Sequence, residues 1–362
     1  MDLSVVDLSP VPAGGTAADA YANTVAAAKQ AEHLGYSRFW VAEHHGMGEH
    51  LAGTTPEVLL GRLAGATEEI RIGSGAVLLN HYSPYKVAEA FGTLDGLAPG
   101  RIDAGLGRAN GSPASDRALG TDRRVENPDE DHEERIRAVV NHLYDTFPEE
   151  HPYADLTVPG SGAEPPVPWV LGSSPSSAAI AGALGARFCF AAFIRPGLAE
   201  RAFETYREQF EPTEIGDGPE EPYGMVAVNA VAAETDAAAA RRRAPAEATF
   251  KRMQRGVVGA IPSIEESIAE LGGTPEPTPA TLDPGEWPRA ISGSPETVSG
   301  LLEQLADRVG ADEVMIQHAV PDHGDALDSH ALLAEAVGLE RRETAGVEPE
   351  DVEPEGVESE SV

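Results

Sequence analysis

Short apolar runs alternate with longer amphipathic stretches along nearly the whole chain, and that alternation predicts its elements. Residues 3–8, 39–42, 70–79, 101–106, 169–171, 188–192, 225–232 and 313–317 are dominated by apolar side chains and read as buried strands. Between them, residues 19–34, 56–67, 84–97, 129–144, 176–184, 198–210, 235–253 and 295–309 carry helical spacing, and some of these stretches open on a proline suited to a first turn. Eight strands alternating with helices predict an α/β fold, a single (β/α)8 TIM barrel. An open doubly wound sheet is the alternative, weakened because no Gly-x-Gly-x-x-Gly opens the first helix. The barrel is expected over residues 1–340. Residues 149–168 and 262–288 are proline-rich, acidic and aperiodic, and read as insertions that shape a substrate pocket. Residues 341–362 read as an acidic, disordered tail.

Composition narrows the class. The 362 residues are 41% hydrophobic, enough for a sizeable core. No window of about 18 apolar residues and no leader pattern is present, so a cytoplasmic protein without a membrane partner is expected. A single cysteine, Cys189, lies in an apolar run and excludes an intrachain disulfide or a thiolate metal cluster. Sixty acidic against 26 basic residues give a formal charge of −34, which repels nucleic acid. The only lysines are Lys29, Lys86 and Lys251. High negative charge with arginine in place of lysine suits a salt-adapted protein from a halophile. Such a protein is expected to unfold on dialysis from molar to millimolar salt; unchanged stability would contradict that expectation.

Candidate chemistry gathers at strand exits. The run Phe39 to Ala42 ends in Glu43, His44 and His45. In a parallel α/β protein ligands sit at the carboxyl ends of strands, so these three titratable groups are site candidates. Neighbouring residues on a strand point to opposite faces, which favours one active-site imidazole over a two-histidine metal clamp. No metal is expected. Gly172, Ser173, Ser174, Pro175, Ser176 and Ser177 follow another strand and resemble a capped helix start whose free amides and hydroxyls suit a phosphate. Gly105, Leu106, Gly107 and Arg108 close a third strand, and Arg108 offers a fork for the same anion. Gly73, Ser74, Gly75 and Ala76 interrupt a strand pattern, as at a bulge or a close approach to a ligand.

Taken in order, these blocks resemble the bacterial luciferase-like flavin monooxygenases. The matching segments are Phe39-Trp40-Val41-Ala42-Glu43-His44-His45, the run Ile70 to Leu79, Ser83 to Glu89, Leu94 to Ile102, Gly105 to Arg108, Leu171 to Ser174, and Ser292 to Val298. The resemblance implies a (β/α)8 barrel that holds reduced FMN at its C-terminal mouth and oxidises a small organic substrate with dioxygen. It also implies the catalytic role for His44, with Glu43 and His45 as its supports. Arg108 and the turn of Gly172, Ser173, Ser174 and Ser176 correspond to the flavin phosphate site. Gly75 and Ala76 correspond to a cis peptide beneath the flavin ring. Phe39, Trp40 and Tyr82 are possible walls for that ring. A homodimer through helices near the second and third strands and a separate flavin reductase are the implied partners. Two alternatives remain: an oxidoreductase that transfers hydride with the deazaflavin F420, and a noncatalytic flavin-binding protein. Gly107 stands where bacterial luciferase has a reactive cysteine, so light emission is not implied.

Overall fold

The structure is a computed structural model that describes residues 1–342 apart from 13, 49, 110–112, 121–127, 161, 163, 214–217, 258–260, 319 and 321. Its elements in chain order are β1 (Asp2–Asp7), α1 (Ala17–His33), β2 (Arg38–Val41), α2 (Pro56–Ala64), β3 (Arg71–Ser74), β4 (Val77–Leu78) and α3 (Pro84–Leu97). They continue as β5 (Ile102–Gly107), α4 (Pro113–Ala118), α5 (Pro128–Tyr144), β6 (Val167–Gly172), α6 (Pro175–Ala183), β7 (Arg187–Ala191), α7 (Ala199–Gln209) and β8 (Gly224–Ala232). The last are α8 (Asp236–Gln254), α9 (Ile264–Leu271), β9 (Ala290–Gly293), α10 (Pro295–Val309), β10 (Glu313–Gln317) and α11 (His323–Val337).

The strands run β1-β2-β3-β5-β6-β7-β8-β10 and close on β1, all parallel. Eight parallel strands with helices outside form the (β/α)8 barrel expected from the pattern. Two irregularities set up the mouth. The expected strand over 70–79 is broken at a cis peptide between Gly75 and Ala76, leaving β3 below and β4 above, each paired to β5. The nine-residue β8 forks: Met225 to Asn229 pairs with β10, while Asn229 to Ala232 pairs with β9. The sequence pattern did not include β9, because three of its four residues, Ala290, Ser292 and Gly293, are small or polar and only Ile291 is a strong strand former.

Strand alternation divides the core into two layers. Val5, Phe39 and Ile72 face outward and join the large layer under the helices, while Val6 and Trp40 face inward and meet Trp169, Cys189, Met225 and Met315 in the lumen. Trp40 and Trp169 pack edge to face, with ring centroids 5.5 Å apart. Glycine at 73 is demanded by this packing, since a Cβ there would lie 2.7 Å from the Trp40 ring. Its place in the strand therefore serves the core and not a ligand. Cys189 is fully buried and its thiol is pushed well above the usual range, first by desolvation, so it acts as a small apolar residue.

Below the aromatic layer lies an ionic floor. Asp103 and Glu313 are wholly buried, and Arg38 joins them: its Nε lies 3.2 Å from Asp103 Oδ2 and its Nη1 bonds Glu313 Oε2. Arg71 adds a 2.9 Å contact to Asp103 Oδ1, which also accepts the Trp169 indole N–H at 3.1 Å. These groups sit at or near the first residues of their strands, at the end of the barrel opposite the strands' carboxyl ends.

The expected insertions differ in kind. Within 149–168, Val158 and Pro159 pack on α3, where the Pro159 carbonyl would lie 2.1 Å from a Cβ at Gly92. Residues 262–288 are not aperiodic throughout, because α9 forms within them behind a capping box of Ser263 and Glu266. The expected acidic tail falls beyond Arg342, outside the described residues. Among the described residues no helix is long and apolar enough to cross a membrane.

Candidate active site

The mouth is organised around the exits of β2, β4, β5, β6, β8 and β10. His44 lies three residues past β2, its backbone N–H fixed to the Gly53 carbonyl at 2.7 Å. Its Nδ1 is buried with no hydrogen-bond partner. The ring lines a cavity of about 600 Å³, a size suited to a small-molecule site. Burial holds His44 below the usual imidazole range, with the nearby charges of His45 and His50 acting in the same direction. A neutral imidazole with a free nitrogen can accept or donate one proton or hydrogen bond inside a largely apolar chamber.

Glu43 does not support His44 as the strand pattern suggested. Its oxygens take the His45 Nε2 contact at 2.6 Å, the Tyr82 hydroxyl at 2.9 Å and the Leu78 N–H of β4 at 2.9 Å. Desolvation raises its pKa against those three stabilising contacts. Glu43 thus anchors β4, immediately above the cis peptide, while His45 turns away from the cavity toward His81. The proposed ring walls also change. Phe39 and Trp40 are fully buried in the two core layers, and Tyr82 is engaged by Glu43.

Arg108 and the serine turn meet at a second locus. Arg108 follows β5, and its Nη2 lies 2.5 Å from Asp129 Oδ1 at the start of α5, while Nη1 bonds the Pro128 carbonyl. Asp129 is held below the usual carboxylate range first by Arg108 and then by the Ser176 hydroxyl. Arg108 and Ser176 therefore converge on one carboxylate. Ser174 caps α6 by accepting from the Ser177 N–H at 3.3 Å, with Ser173 directly before it. Gly172 fits against that first turn, where a Cβ would lie 2.3 Å from Ser177 Cβ. A guanidinium and a hydroxyl that converge on one carboxylate, the hydroxyl standing in the first turn of α6, are a donor set that fits a phosphate. Gly107 brings β5 close to the cis peptide, since a Cβ there would approach Ala76 Cβ to 3.0 Å.

Sequence reasoning missed several residues on the cavity. Asn229 Oδ1, Thr249 Oγ1 and both ring nitrogens of His318 are buried without partners, and all three residues line the chamber. Asn229 was visible as the one polar residue in the run 225–232, and His318 as the residue directly after a strand, the same signal that exposed His44. His318 packs on His330, ring centroids 4.1 Å apart, and desolvation lowers its pKa to about 3. Among the described residues, none of 149–168 or 262–288 lines the cavity; α8 does, with Ile261 and Arg289 flanking the second segment. Among the described residues no group of His, Cys, Asp and Glu could hold a metal.

Comparisons with known proteins bear on the family and the fold. A family model described as luciferase-like monooxygenase matches residues 1–313. A luciferase-like monooxygenase of Escherichia coli K12 is 35% identical over 91% of this chain and 95% of its own. An N-acetyl-S-alkylcysteine monooxygenase of Bacillus subtilis is 35% identical over 94% of this chain and 99% of its own. Among solved structures, apo-MsnO8 is 39% identical, with a TM-score of 0.83 over 94% of this chain and 99% of that one. The fold alone is shared with two more distant structures. One is the oxygenating constituent of a Pseudomonas putida 3,6-diketocamphane monooxygenase in complex with FMN, 21% identical with a TM-score of 0.68 over 93% of this chain and 98% of that one. The other is an F420-dependent secondary alcohol dehydrogenase, 16% identical with a TM-score of 0.63 over 93% of this chain and 98% of that one.

Proposed function

Because the chain belongs to the luciferase-like monooxygenase family, we propose that it is a flavin-dependent monooxygenase that uses reduced FMN and dioxygen on a small organic substrate. The observation that carries this reading is the pairing of an anion locus, Arg108 with Ser176, and a chamber presenting the unpartnered Nδ1 of His44. Bound reduced flavin supplies the activation of dioxygen, which no amino-acid side chain provides. Arg108, Ser174 and Ser176 hold its phosphate, displacing Asp129. The Gly75–Ala76 peptide and Gly107, which lie against each other where β4 meets β5, would form the seat for its ring. His44 holds or moves a proton at Nδ1, and the apolar walls exclude water.

Magnitudes show how the site divides its labour. Micromolar binding requires about 8 kcal/mol. A charge-assisted contact such as that from Arg108 contributes on the order of 1.5 to 3 kcal/mol, and a helix terminus about 0.3 to 2 kcal/mol. The phosphate locus therefore fixes register, and burial of the ring supplies the remainder.

A separate flavin reductase supplies the reduced cofactor, and homodimerisation is proposed for α2 and α3, where Val58 and Leu97 are exposed apolar residues. The reaction class is tested with the protein, FMN, a reductase and isotopically labelled dioxygen against a panel of thioethers and ketones. One labelled oxygen atom in an oxidised product is the expected result. Oxidation of a secondary alcohol with F420 and no oxygen incorporation would overturn the reading.

A further inference from the structure

The cavity in the β8 fork has a charge that the chain as a whole does not share. The protein carries 60 acidic and 26 basic residues, yet among the described residues the charged ones lining the cavity are Glu247, Lys251 and Arg289. Glu247 is engaged by Arg243 of the same helix at 3.0 Å, which leaves the two cations to set the local sign. Arg289 is held in place: Nη1 donates to the Phe193 and Ile194 carbonyls at 2.7 and 3.1 Å, and its guanidinium carbon lies 4.5 Å from the Phe250 ring centroid. Backbone carbonyls and an aromatic face orient a guanidinium without neutralising it. Among the described residues, the ion pairs of this region join other arginines, and neither Arg289 nor Lys251 takes part in one.

The opposite wall is apolar. Leu8, Met47 and Leu51 face the chamber beside His44, and Phe250 connects that wall to Arg289. This arrangement grades from an apolar end with one imidazole to a cationic end at the rim. It is also separate from the phosphate locus, because neither Arg108 nor Ser176 lines the cavity. We infer that the site takes a small aliphatic carboxylate, with its chain against the apolar wall near His44 and its carboxylate at Arg289 and Lys251. The inference rests on the proposed function, with this cavity taking the substrate beside the flavin, whose phosphate and ring are assigned to Arg108, Ser176 and the Gly75–Ala76 peptide outside the cavity lining.

Arg289 and Lys251 are both exposed at the rim, so the preference they confer is bounded by what solvent-exposed ion pairs contribute, roughly five- to twentyfold in affinity for the two together. The test is calorimetric titration of the cofactor-free protein with hexanoate and with hexanamide, which differ at the head group alone. Hexanoate is expected to bind more tightly by that factor, with the ratio shrinking as salt is raised. Arg289→Gln should reduce the ratio, and the double variant with Lys251→Gln should bring it near unity. Lys251→Gln should reduce it without disturbing the loop of Phe193 and Ile194, whose carbonyls are held by Arg289. Equal binding of the two probes, or a ratio that survives both substitutions, overturns the inference. A ratio lost in Arg108→Gln instead would place the carboxylate at the phosphate locus and overturn it as well. Reduced-FMN binding is measured separately on the same samples: its failure contradicts the flavin reading while leaving the carboxylate preference standing.

Discussion

Replacing Arg38 with methionine is expected to destabilise the protein by about 3 to 5 kcal/mol, the cost of leaving buried charge without its partner. Arg38 is the shared cation of Asp103 and Glu313, and both carboxylates are completely inaccessible to solvent. Asp103 keeps Arg71 and the Trp169 indole, so the deficit falls on Glu313, which burial already pushes upward against the pull of Arg38. Without Arg38, Glu313 rises further and takes up a proton as the pH falls. A group whose folded pKa is raised gains stability relative to the unfolded chain at lower pH, so the variant's deficit should shrink between pH 8 and 5. Guanidinium unfolding at fixed salt measures both effects. Placing the change in a Glu313→Gln background should recover part of the loss, because the orphaned charge is gone. A loss below about 1 kcal/mol, the range of an exposed pair, would contradict this account of the floor.

Replacing His44 with alanine is expected to slow turnover by about 10²- to 10⁴-fold, the range of a positioned acid–base group. Reduced-flavin affinity should change little, since the phosphate locus lies on other strands and the His44 backbone bond to Gly53 is retained. The pH dependence separates this role from packing. Burial lowers the His44 pKa from the usual 6.5, so the neutral, proton-accepting ring persists below that pH. The wild-type kcat/KM should stay level as the pH falls through 6.5 and decline only at lower pH, and the alanine variant should lose that acid limb. Unaltered turnover, or a variant that keeps the acid limb, would remove His44 from the chemistry.

Much of this arrangement was legible because it is local. The abrupt change from Val41 and Ala42 to Glu43, His44 and His45 marks a strand exit, and Ser174 before Pro175 marks a helix start, each within a few residues. The barrel followed from repetition of one unit. The ionic floor was not legible, because Arg38 and Glu313 are 275 positions apart and meet through closure of the sheet. The fork in β8 escaped for a related reason: the run 225–232 reads as one strand, and nothing local says that its two halves have different partners. Aperiodic composition suggested that 149–168 and 262–288 shape the pocket, whereas the wall is built by the helical face of Ala246, Thr249 and Phe250 in α8. Helical periodicity shows that a face is buried, and not what it is buried against.

The central claim is that the exits of β5 and β6, together with the His44 chamber, hold reduced FMN. Anaerobic titration of the intact protein with reduced FMN and with reduced F420, for the wild type and for Arg108→Gln, tests it most directly. Micromolar binding of FMN, weakened roughly ten- to a hundredfold in Arg108→Gln as expected for one charge-assisted contact, is the result that the structure supports. Binding of F420 alone, or FMN affinity indifferent to Arg108, would contradict it.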